Sequence, residues 1–341
     1  MVTPASGVPA APARPVADGP VLALDLGASR IRVAVVATDG RLLLRDDGRT
    51  PGAEGPAAVV QACIDRLRGI LDRLDEKTRS AVAGVGIAAP GPVDPRSGVL
   101  IEPPNVGPGF RNVPFAAPIS AALGLPVVLE RDTNVAALGE QAFGAARGAR
   151  DFLYLTVSTG IGGGIVAGGE LYGGADGVAG EIGHLAVGVD EPPCGCGAAG
   201  HLEAISSGSG IVRQARMAIE AGTAPGLARL TEELAPAPLE AHHIAAAEEA
   251  GDPAAAAIMD RARRTFAAAV VGLVNVFNPE LIVIGGSIAH AHGDRLVDIA
   301  RRQVAELAFR VPRERVRIVP AALGDDVGLV GAQPLLGLTR R

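Results

Sequence analysis

The chain contains one folding pattern twice, beginning near residue 20 and again near residue 152. In each copy, two apolar, β-rich runs flank a short turn that contains glycine. The first copy reads PVLALDL-GASR-IRVAVVA over 20–37, and the second reads FLYLTVS-TGIGGG-IVAGGELY over 152–172. Alternating strand and helix patterns follow each hairpin, which is typical of α/β domains. The sequence therefore predicts two α/β domains with a cleft between them.

Hydrophobic periodicity predicts the main elements after each hairpin. Apolar residues at helical spacing predict helices at 56–74 and 254–277. Continuous apolar runs that end in turn residues predict buried strands at 81–89, 125–130 and 281–286. No short-period repeat interrupts this alternation, so the chain is not a solenoid.

These elements set the predicted domain boundaries. Residues 1–19 are rich in Pro, Ala and Gly and are predicted to be a disordered tail. Residues 20–129 are predicted to form an N-terminal α/β domain, and 130–325 a larger C-terminal α/β domain that includes a loop at 184–203. A final helix near 326–337 is predicted, which can pack back on the N-terminal domain.

Composition and charge exclude several classes of protein. The net charge of −6 argues against general nucleic-acid binding, which normally uses a basic face. Lys77 is the only lysine, and this excludes a P-loop nucleotide triphosphatase, whose glycines precede a lysine. No apolar run has the length of a membrane span, and the N-terminal residues lack the features of a secretory signal. The three cysteines are too few for a disulfide scaffold and fit a reducing cytoplasm.

The first hairpin turn is a candidate phosphate site. Gly27 is expected to adopt a positive φ in a tight turn, which leaves backbone N–H groups and the Ser29 hydroxyl facing an anion. Asp25, at the end of the strand, could hold Mg²⁺ through water. The same residues would also make an ordinary hairpin with a polar turn.

Two further glycine turns suggest the same chemistry. The second hairpin turn contains Thr159 and Gly160 within a glycine-rich run that exceeds what a hairpin needs, so that backbone can approach a ligand closely. Gly285 and Gly286 follow a buried strand and precede a helix, which suits a nucleotide lying at strand ends. A plain strand-to-helix turn explains the second pair equally well.

Asp132 is the candidate general base. It lies where a strand meets a helix, and from there its carboxylate could accept a proton from a substrate hydroxyl that attacks phosphorus. The alternative is that Asp132 or Thr133 only caps the helix.

The stretch HLAVGVDEPPCGCGAAGHLE at 184–203 is a candidate metal site. The imidazoles of His184 and His201 and the thiols of Cys194 and Cys196 supply four N/S donors, which suit tetrahedral Zn²⁺. Four protein ligands leave no position for a reactive water, so the metal is predicted to be structural and to clamp a loop too poor in apolar residues to fold by burial. A polar loop with two free thiols is the alternative.

Nine stretches follow one another in an order and at a spacing that resemble the ROK family of repressors, open reading frames and sugar kinases. They are DLGASR, APGPVD, PPNVGPGF, ERDTN, STGIGGG, GVAGEIGH, CGCGAAGHLE, NPELIVIGGS and GDDVGLVGA. The resemblance covers nearly everything from residue 20 to 337. It implies the actin-like ATPase fold, with two ribonuclease-H-like domains around a cleft, a homodimer, and ATP, Mg²⁺ and a hexose bound in the cleft.

The resemblance also implies roles for individual residues. Asp132 matches the catalytic base, and the sugar-contacting positions are Asn105, Asp132, Glu181, His184 and Glu203. Gly27, Ser29, Thr159 and Gly160 match phosphate-facing turns, and His184, Cys194 and Cys196 match zinc ligands.

Two residues depart from the family pattern. His201 stands where the family usually has a third cysteine, and histidine is an acceptable zinc ligand. Arg131 stands where the kinases usually have asparagine beside the catalytic Asp. A guanidinium only donates hydrogen bonds, so Arg131 could contact a different sugar substituent, or turn toward Glu130 or a phosphate.

The predicted function is therefore that of an ATP-dependent kinase for a hexose, with glucose as the leading substrate. Alternatives are a kinase for fructose, mannose or an N-acetylhexosamine, and a non-catalytic sugar-sensing protein. Polyphosphate as donor, and a tetramer in place of a dimer, remain open. Regulators of the family carry a winged helix-turn-helix before the first hairpin, and only about 19 residues precede it here, so DNA binding is not expected.

Overall fold

The structure is a computed structural model that describes residues 16–103, 105–188, 192–291 and 294–338. Its contacts divide the chain into two compact units. Unit 1 contains the described residues up to Phe152, together with Ile165–Ala179 and those from Asp326 onward. Unit 2 contains Leu153–Gly164 and Gly180–Asp325. Among the described helices, none is both long enough and apolar enough to cross a bilayer.

Strands and helices alternate along most of the described chain. The strands are β1 (Val21–Leu26), β2 (Arg30–Val36), β3 (Leu42–Arg49), β4 (Val85–Ala89), β5 (Val93–Asp94), β6 (Val99–Leu100), β7 (Val113–Pro114), β8 (Val127–Arg131), β9 (Phe152–Val157), β10 (Ile161–Ala167), β11 (Glu170–Leu171), β12 (Leu281–Gly285) and β13 (Arg317–Pro320). The helices are α1 (Pro56–Leu71), α2 (Glu76–Ser80), α3 (Ala116–Leu123), α4 (Asp132–Phe143), α5 (Leu202–Ser206), α6 (Gly208–Glu220), α7 (Pro225–Leu234), α8 (Ala241–Glu249), α9 (Pro253–Phe277), α10 (Ser287–Ala291), α11 (Asp294–Leu307), α12 (Arg310–Arg315), α13 (Val327–Val330) and α14 (Ala332–Gly337).

A five-stranded sheet forms the centre of unit 1, in the order β3-β2-β1-β4-β8. The first three strands are antiparallel, and β1, β4 and β8 are parallel. Every residue of β1 and β4 is buried, because helices cover both faces of the sheet. Leu22 and Leu24 face the core that contains Leu67 of α1, and Ala23 faces the core that contains Leu336 of α14. The continuous apolar runs of these strands follow from this two-sided burial.

The last helix, α14, belongs to unit 1 and holds the start of the described chain. The Gln333 side chain is fully buried, and its Oε1 accepts from the Ala17 N–H at 2.9 Å while its Nε2 donates to the Gly19 carbonyl at 2.8 Å. Ala17 is itself buried. The tail predicted for 1–19 therefore does not extend through 16–19, because these residues pack on α14; residues 1–15 lie outside the described residues.

Unit 2 is built on a second sheet and a long helix. The sheet order is β11-β10-β9-β12-β13, in which β12 and β13 are parallel; β11 and the last residues of β10 are grouped with unit 1. Helix α9 begins after Asp252, whose carboxylate accepts from the Ala255 N–H at 2.9 Å, and it ends at Asn278 in a left-handed conformation. Pro279 follows and cannot continue a helix. Helices α5, α6, α8 and α11 pack along α9.

The observed organisation differs from the predicted one in two further respects. The predicted domain boundary at 129–130 falls inside unit 1, because α4 packs against β4, β8, α13 and α14. The short strands β5, β6 and β7 form a separate antiparallel sheet that periodicity did not predict. Two-residue strands are too short to carry an alternating pattern.

The Gln333 contacts predict a measurable contribution to the stability of unit 1. Gln333→Leu keeps much of the volume but removes the side-chain partner of the Ala17 N–H and of the Gly19 carbonyl, and leaves the Ala17 N–H only its longer bond, 3.4 Å, to the Gln333 carbonyl. We therefore expect the free energy of unfolding to fall by about 1–3 kcal/mol in urea denaturation. Gln61→Leu is the control, since this exposed glutamine donates its Nε2 hydrogen bond to the exposed Asp65, at 2.8 Å, and its loss should change stability by less than about 0.5 kcal/mol. Equal effects of the two substitutions would contradict the prediction.

Candidate active site

The first hairpin turn in unit 1 is closed by backbone hydrogen bonds. The Gly27 N–H donates to the Arg30 carbonyl at 2.8 Å, and the Thr50 hydroxyl donates to the Gly27 carbonyl at 2.8 Å. Gly27 does not have a positive φ, so that expectation was wrong. A Cβ at Gly27 would lie 3.1 Å from the Arg30 carbonyl oxygen, and this close approach is what the glycine permits. Ser29 is exposed at the tip of the turn.

Asp25 is buried beside this turn and forms an ion pair with Arg32. Burial raises the pKa of the Asp25 carboxyl above its ordinary value; the charge and hydrogen bond of Arg32 oppose this shift, and the Asp326 carboxylate reinforces it. Asp326 in turn pairs with Arg45 at 2.7 Å. Arg32 was not among the predicted site residues. The hairpin register would have indicated it, because Asp25 and Arg32 are direct cross-strand partners.

Asp132 is the first residue of α4, and its side chain is exposed. Its Oδ1 accepts from the Thr133 N–H at 2.7 Å. Neither predicted cap residue occupies the N-cap position; Arg131 does, with extended backbone and no capping side-chain bond. Strand β8 ends at Arg131, so Asp132 lies directly after the carboxyl end of this parallel strand. An exposed carboxylate at that position can take up a proton.

Arg131 is buried, although it was predicted to contact the substrate. Its Nη2 donates to the Ala179 carbonyl at 2.6 Å and to Asn134 Oδ1 at 3.3 Å. The neighbouring Glu130 Oε1 accepts from the Arg131 N–H at 2.8 Å and from Asn134 Nδ2 at 3.0 Å. Burial raises the pKa of Glu130, and these N–H groups and the Arg131 charge oppose the shift. The guanidinium thus turns into the protein.

Asn105 is exposed in unit 1 and has a φ of 69°. Asparagine adopts this left-handed conformation more readily than most residues, so the position suits the residue found there. The preceding Pro104 lies outside the described residues.

In unit 2, the turn between β9 and β10 lies directly against Glu203. Glu203 Oε2 accepts from the Ile161 N–H at 2.9 Å, and a Cβ at Gly160 would lie 2.5 Å from the same oxygen. Thr159 is exposed next to Gly160, and its carbonyl accepts from the Ser209 N–H at 3.1 Å. The structure therefore brings Glu203 to the turn that contains Thr159 and Gly160, although Glu203 follows Ile161 by 42 residues in the sequence.

The Gly285-Gly286 turn is held against the end of β9. Gly286 has a φ of 99°, and a Cβ there would lie 2.5 Å from the Val157 carbonyl oxygen. The Ser287 N–H donates to Ser158 Oγ at 2.9 Å. Two predicted phosphate turns of unit 2 are thereby adjacent at the carboxyl end of β12, where ligands bind in open α/β sheets.

Glu181 precedes a short 3-10 helix, Ile182–His184, and His184 is its last residue; this helix packs on the turn between β9 and β10. A Cβ at Gly183 would overlap the Ile161 carbonyl, and the Gly163 N–H donates to the Gly180 carbonyl at 3.1 Å. Both predicted sugar-contacting side chains are exposed, and His184 Nε2 lies 4.0 Å from Glu181 Oε2.

The four predicted metal ligands converge in unit 2. One donor atom from each of His184, Cys194, Cys196 and His201 lies within 4.8 Å of the others. His184 Nδ1 and His201 Nδ1 are 3.2 Å apart, Cys196 Sγ is 3.3 Å from His201 Nδ1, and Cys194 Sγ is 4.0 Å from His184 Nδ1. Two thiols and two imidazoles at such separations fit a tetrahedral Zn²⁺ ion.

Backbone hydrogen bonds form the turn that carries both cysteines. The Cys194 N–H donates to the Ala198 carbonyl at 2.7 Å, and the Gly197 N–H donates to the Cys194 carbonyl at 3.1 Å. The third cysteine, Cys63, lies in the core of unit 1, where burial raises the pKa of its thiol to about 12. Cys63 is therefore an inert apolar side chain.

Known proteins share both the sequence and the fold. The ROK family profile matches residues 21–337. A glucokinase of Thermotoga maritima is 33% identical over 93% of this chain and 96% of its own length. The crystal structure of a ROK family glucokinase from Streptomyces griseus in complex with glucose and AMPPNP is 33% identical, with a TM-score of 0.76 over 93% of this chain and 99% of that one.

A ROK hexokinase from Thermus thermophilus is also similar, at 33% identity and a TM-score of 0.75 over 94% of this chain and 98% of that one. These likenesses confirm the predicted α/β fold of the actin-like ATPase type. Because the profile match and the similar structures extend over nearly the whole chain, the protein belongs to the ROK family.

Proposed function

We propose that the protein is an ATP-dependent kinase that transfers a phosphoryl group to the 6-hydroxyl of glucose. The observation that carries this proposal is the exposed carboxylate of Asp132 at the start of α4, in a chain similar over its length to glucokinases. The related Streptomyces griseus structure holds glucose and AMPPNP, an ATP analogue. The proposal includes ATP as the phosphoryl donor and a cytoplasmic location. The small number of cysteines agrees with a reducing compartment.

In this proposal Asp132 is the catalytic base. Its carboxylate accepts the proton of the sugar hydroxyl as that oxygen attacks the terminal phosphorus of ATP. The donor phosphates are assigned to the turns with Gly27 and Ser29, Thr159 and Gly160, and Gly285 and Gly286, whose N–H groups and hydroxyls stabilise charge on the moving phosphoryl group. Mg²⁺ would accompany the nucleotide, with Asp25 assigned to it through water.

The sugar hydroxyls are assigned to Asn105, Glu181, His184 and Glu203. Such a set orients the sugar by hydrogen bonds and rejects analogues that lack a hydroxyl, because polar groups that the bound sugar covers would be left unpaired. For Glu203, the hydrogen bond from Ile161 fixes Oε2 and leaves Oε1 as the oxygen that we assign to the sugar.

The four-donor cluster of His184, Cys194, Cys196 and His201 is assigned to a structural zinc. When bound, the ion would cross-link a loop that contains few apolar residues. His184 would bind the metal through Nδ1, which faces the other donors, and keep Nε2 on the side of Glu181 for a sugar hydroxyl. One imidazole can thus serve both assigned roles.

We also propose that two copies of the chain form a homodimer through one apolar surface of unit 2, here called the end surface and defined by Val276, Phe277, Leu307, Phe309 and Val311. Phe309 and Val276 are 70% and 77% exposed, and the Phe309 N–H donates to Asn275 Oδ1 at 2.8 Å, which joins the two segments. These segments precede β12 and β13, at the end of the strands opposite to Gly285 and Gly286.

A second copy is the occupant that fits the end surface. Five large side chains exposed to this degree present roughly 400–600 Å² of apolar area. This is in the upper part of the range of about 300–600 Å² for the largest apolar patch of a typical monomer, and such patches often mark interaction sites. With a polar rim, the surface approaches the area of about 800 Å² per partner that a stable dimer buries. The exposed pair of Arg310 and Glu314, 3.4 Å apart, borders the surface with both signs of charge. In a two-fold interface, each can face the opposite charge of the other copy.

Asp132→Asn tests the catalytic assignment. Removal of the base should lower kcat by about 10²–10⁴-fold in a coupled ADP-release assay, with unchanged thermal unfolding. Asp65→Asn, an exposed residue of α1, is the control and should keep normal turnover. Near-normal kcat in Asp132→Asn would remove Asp132 from this role.

A sugar panel with ATP and with polyphosphate identifies the substrates, and sugar binding without any transfer would identify a sugar-sensing protein instead.

Metal analysis tests the zinc assignment. Purified protein should contain about one zinc per chain, which Cys194→Ser and His201→Ala should lose. His201→Cys, which installs the family's usual ligand, and Cys63→Ala, in the core, should both retain it. A zinc-free protein with full activity and unchanged stability would contradict a structural metal.

Light scattering coupled to gel filtration tests the end surface. Wild-type protein should be a dimer, and Leu307→Glu with Phe309→Glu should yield a monomer with kcat within about twofold of wild type, because charges buried without partners are costly. Leu43→Glu, at a 42% exposed leucine of unit 1, should remain dimeric. A monomeric wild type, or a double variant that stays dimeric, would show that the end surface is not the interface.

A further inference from the structure

Arg131 occupies the position immediately before Asp132, and its side chain is 5% exposed. We propose that Arg131 is a positioning residue: its guanidinium fastens the chain at Ala179 to the start of the helix that carries Asp132, and it does not contact the sugar. The kinetic consequences of this proposal rest on the proposed kinase function. The contact between Arg131 and Ala179 rests on the geometry alone.

The contact with Ala179 is the main observation. Arg131 Nη2 lies 2.6 Å from the Ala179 carbonyl oxygen, which is a short hydrogen bond from a charged donor. Both residues belong to unit 1, in which Ala179 is the last residue of the segment Ile165–Ala179. The Ala179 N–H donates to the Gly173 carbonyl at 2.9 Å. Ala179 is thus held through both its carbonyl and its N–H.

The guanidinium is itself held in one orientation. Asn134 Oδ1 accepts from Arg131 Nη2 at 3.3 Å, and Asn134 Nδ2 donates to Glu130 Oε1 at 3.0 Å. Glu130 Oε1 also accepts from the Arg131 N–H at 2.8 Å, and its carboxyl interacts with the Arg131 charge. This closed set of Glu130, Arg131 and Asn134 fixes the side chain on a rigid strand-to-helix junction. Preorganisation of this kind keeps a supporting group in place through a catalytic cycle.

Two positions of the proposed site are adjacent in the chain to the two ends of this contact. Asp132 follows Arg131 directly. Gly180, with a φ of 94°, and then Glu181 follow Ala179. Arg131 therefore anchors the backbone beside the proposed base and the backbone beside a proposed sugar-contacting carboxylate with a single side chain. An asparagine at 131 is several bonds too short for the same contact, whereas its amide could serve a sugar hydroxyl.

A matched set of substitutions tests the kinetic consequence. Arg131→Met keeps an unbranched side chain about as long as the aliphatic stem of arginine and removes the donors, and displacement of supporting backbone by about 1 Å can lower turnover about 100-fold. We expect kcat to fall between tenfold and 100-fold, with the order of preference across a sugar panel unchanged. Arg131→Lys retains one donor and should recover part of kcat. Arg150→Met is the control, because Arg150 Nη2 donates to the Gly168 carbonyl at 2.8 Å, in the same segment but away from Asp132; its kcat should stay within twofold.

Hydrogen exchange measured by mass spectrometry tests the fastening without reference to activity. Peptides that cover residues 173–181 should exchange at least tenfold faster in Arg131→Met than in wild type, and Arg131→Lys should lie between them. If Arg131→Met does not fold, the comparison is made with Arg131→Lys and Arg131→Gln. Failure of the kinase assignment would leave this result intact.

Three results would overturn the proposal. Unchanged exchange at 173–181 in the substituted proteins would mean that the contact does not hold Ala179. A kcat within twofold of wild type in folded Arg131→Met, in an active kinase, would mean that the contact does not support catalysis. A changed order of sugar preference in Arg131→Lys, or a KM that rises for one sugar alone, would mean that Arg131 contacts the substrate.

Discussion

Close packing of backbone on backbone around the β9–β10 turn is the constraint on which the arrangement of unit 2 depends. Glycine at 160 and 183 leaves no side chain where the turn meets Glu203 and the 3-10 helix at 182–184. Because of this approach, the Ile161 N–H reaches Glu203 and the Gly163 N–H reaches the Gly180 carbonyl. The exposed side chains of Thr159, Glu181 and His184 project from a frame that backbone hydrogen bonds define. A larger residue at Gly183 would collide with the Ile161 backbone and displace the 3-10 helix, whereas a larger residue at Gly160 would first displace the Glu203 carboxylate.

Arginines lie beside two acids of unit 1 whose pKa values burial raises, and both pairs are next to residues assigned to chemistry. Arg32 pairs with Asp25, and Arg131 interacts with Glu130. In each case, burial raises the pKa of the acid and the guanidinium opposes that shift. With one lysine among 31 basic residues, the chain uses a cation that stays charged even when desolvated.

The sequence was sufficient to predict the features that depend on residues close to one another in the chain. The two hairpins, the fold class and the convergence of His184, Cys194, Cys196 and His201 followed from spacing and from the resemblance, because the loop that joins the four donors is short. The direction of the Arg131 side chain could not be predicted, since its partner at Ala179 is 48 residues away. The sign of φ at Gly27 could not be predicted either, because glycine adopts positive and negative φ about equally readily. The sequence does not tell whether the glycine is there for a left-handed turn or for the close approach of another backbone atom. The place of α4 in unit 1 depended on α13 and α14, which come from the other end of the chain.

Unit 1 contains segments from the beginning and from the end of the chain, and this affects how it folds during synthesis. One face of its sheet, with Ala23 and Ala34, is covered by Leu329, Ala332 and Leu336, which leave the ribosome some 300 residues later. A nascent chain that has already formed β1 and β2 therefore presents an uncovered apolar face until translation ends, a state that favours aggregation. We expect such chains to require a chaperone during translation, and premature termination before residue 326 to yield insoluble protein rather than a smaller folded domain.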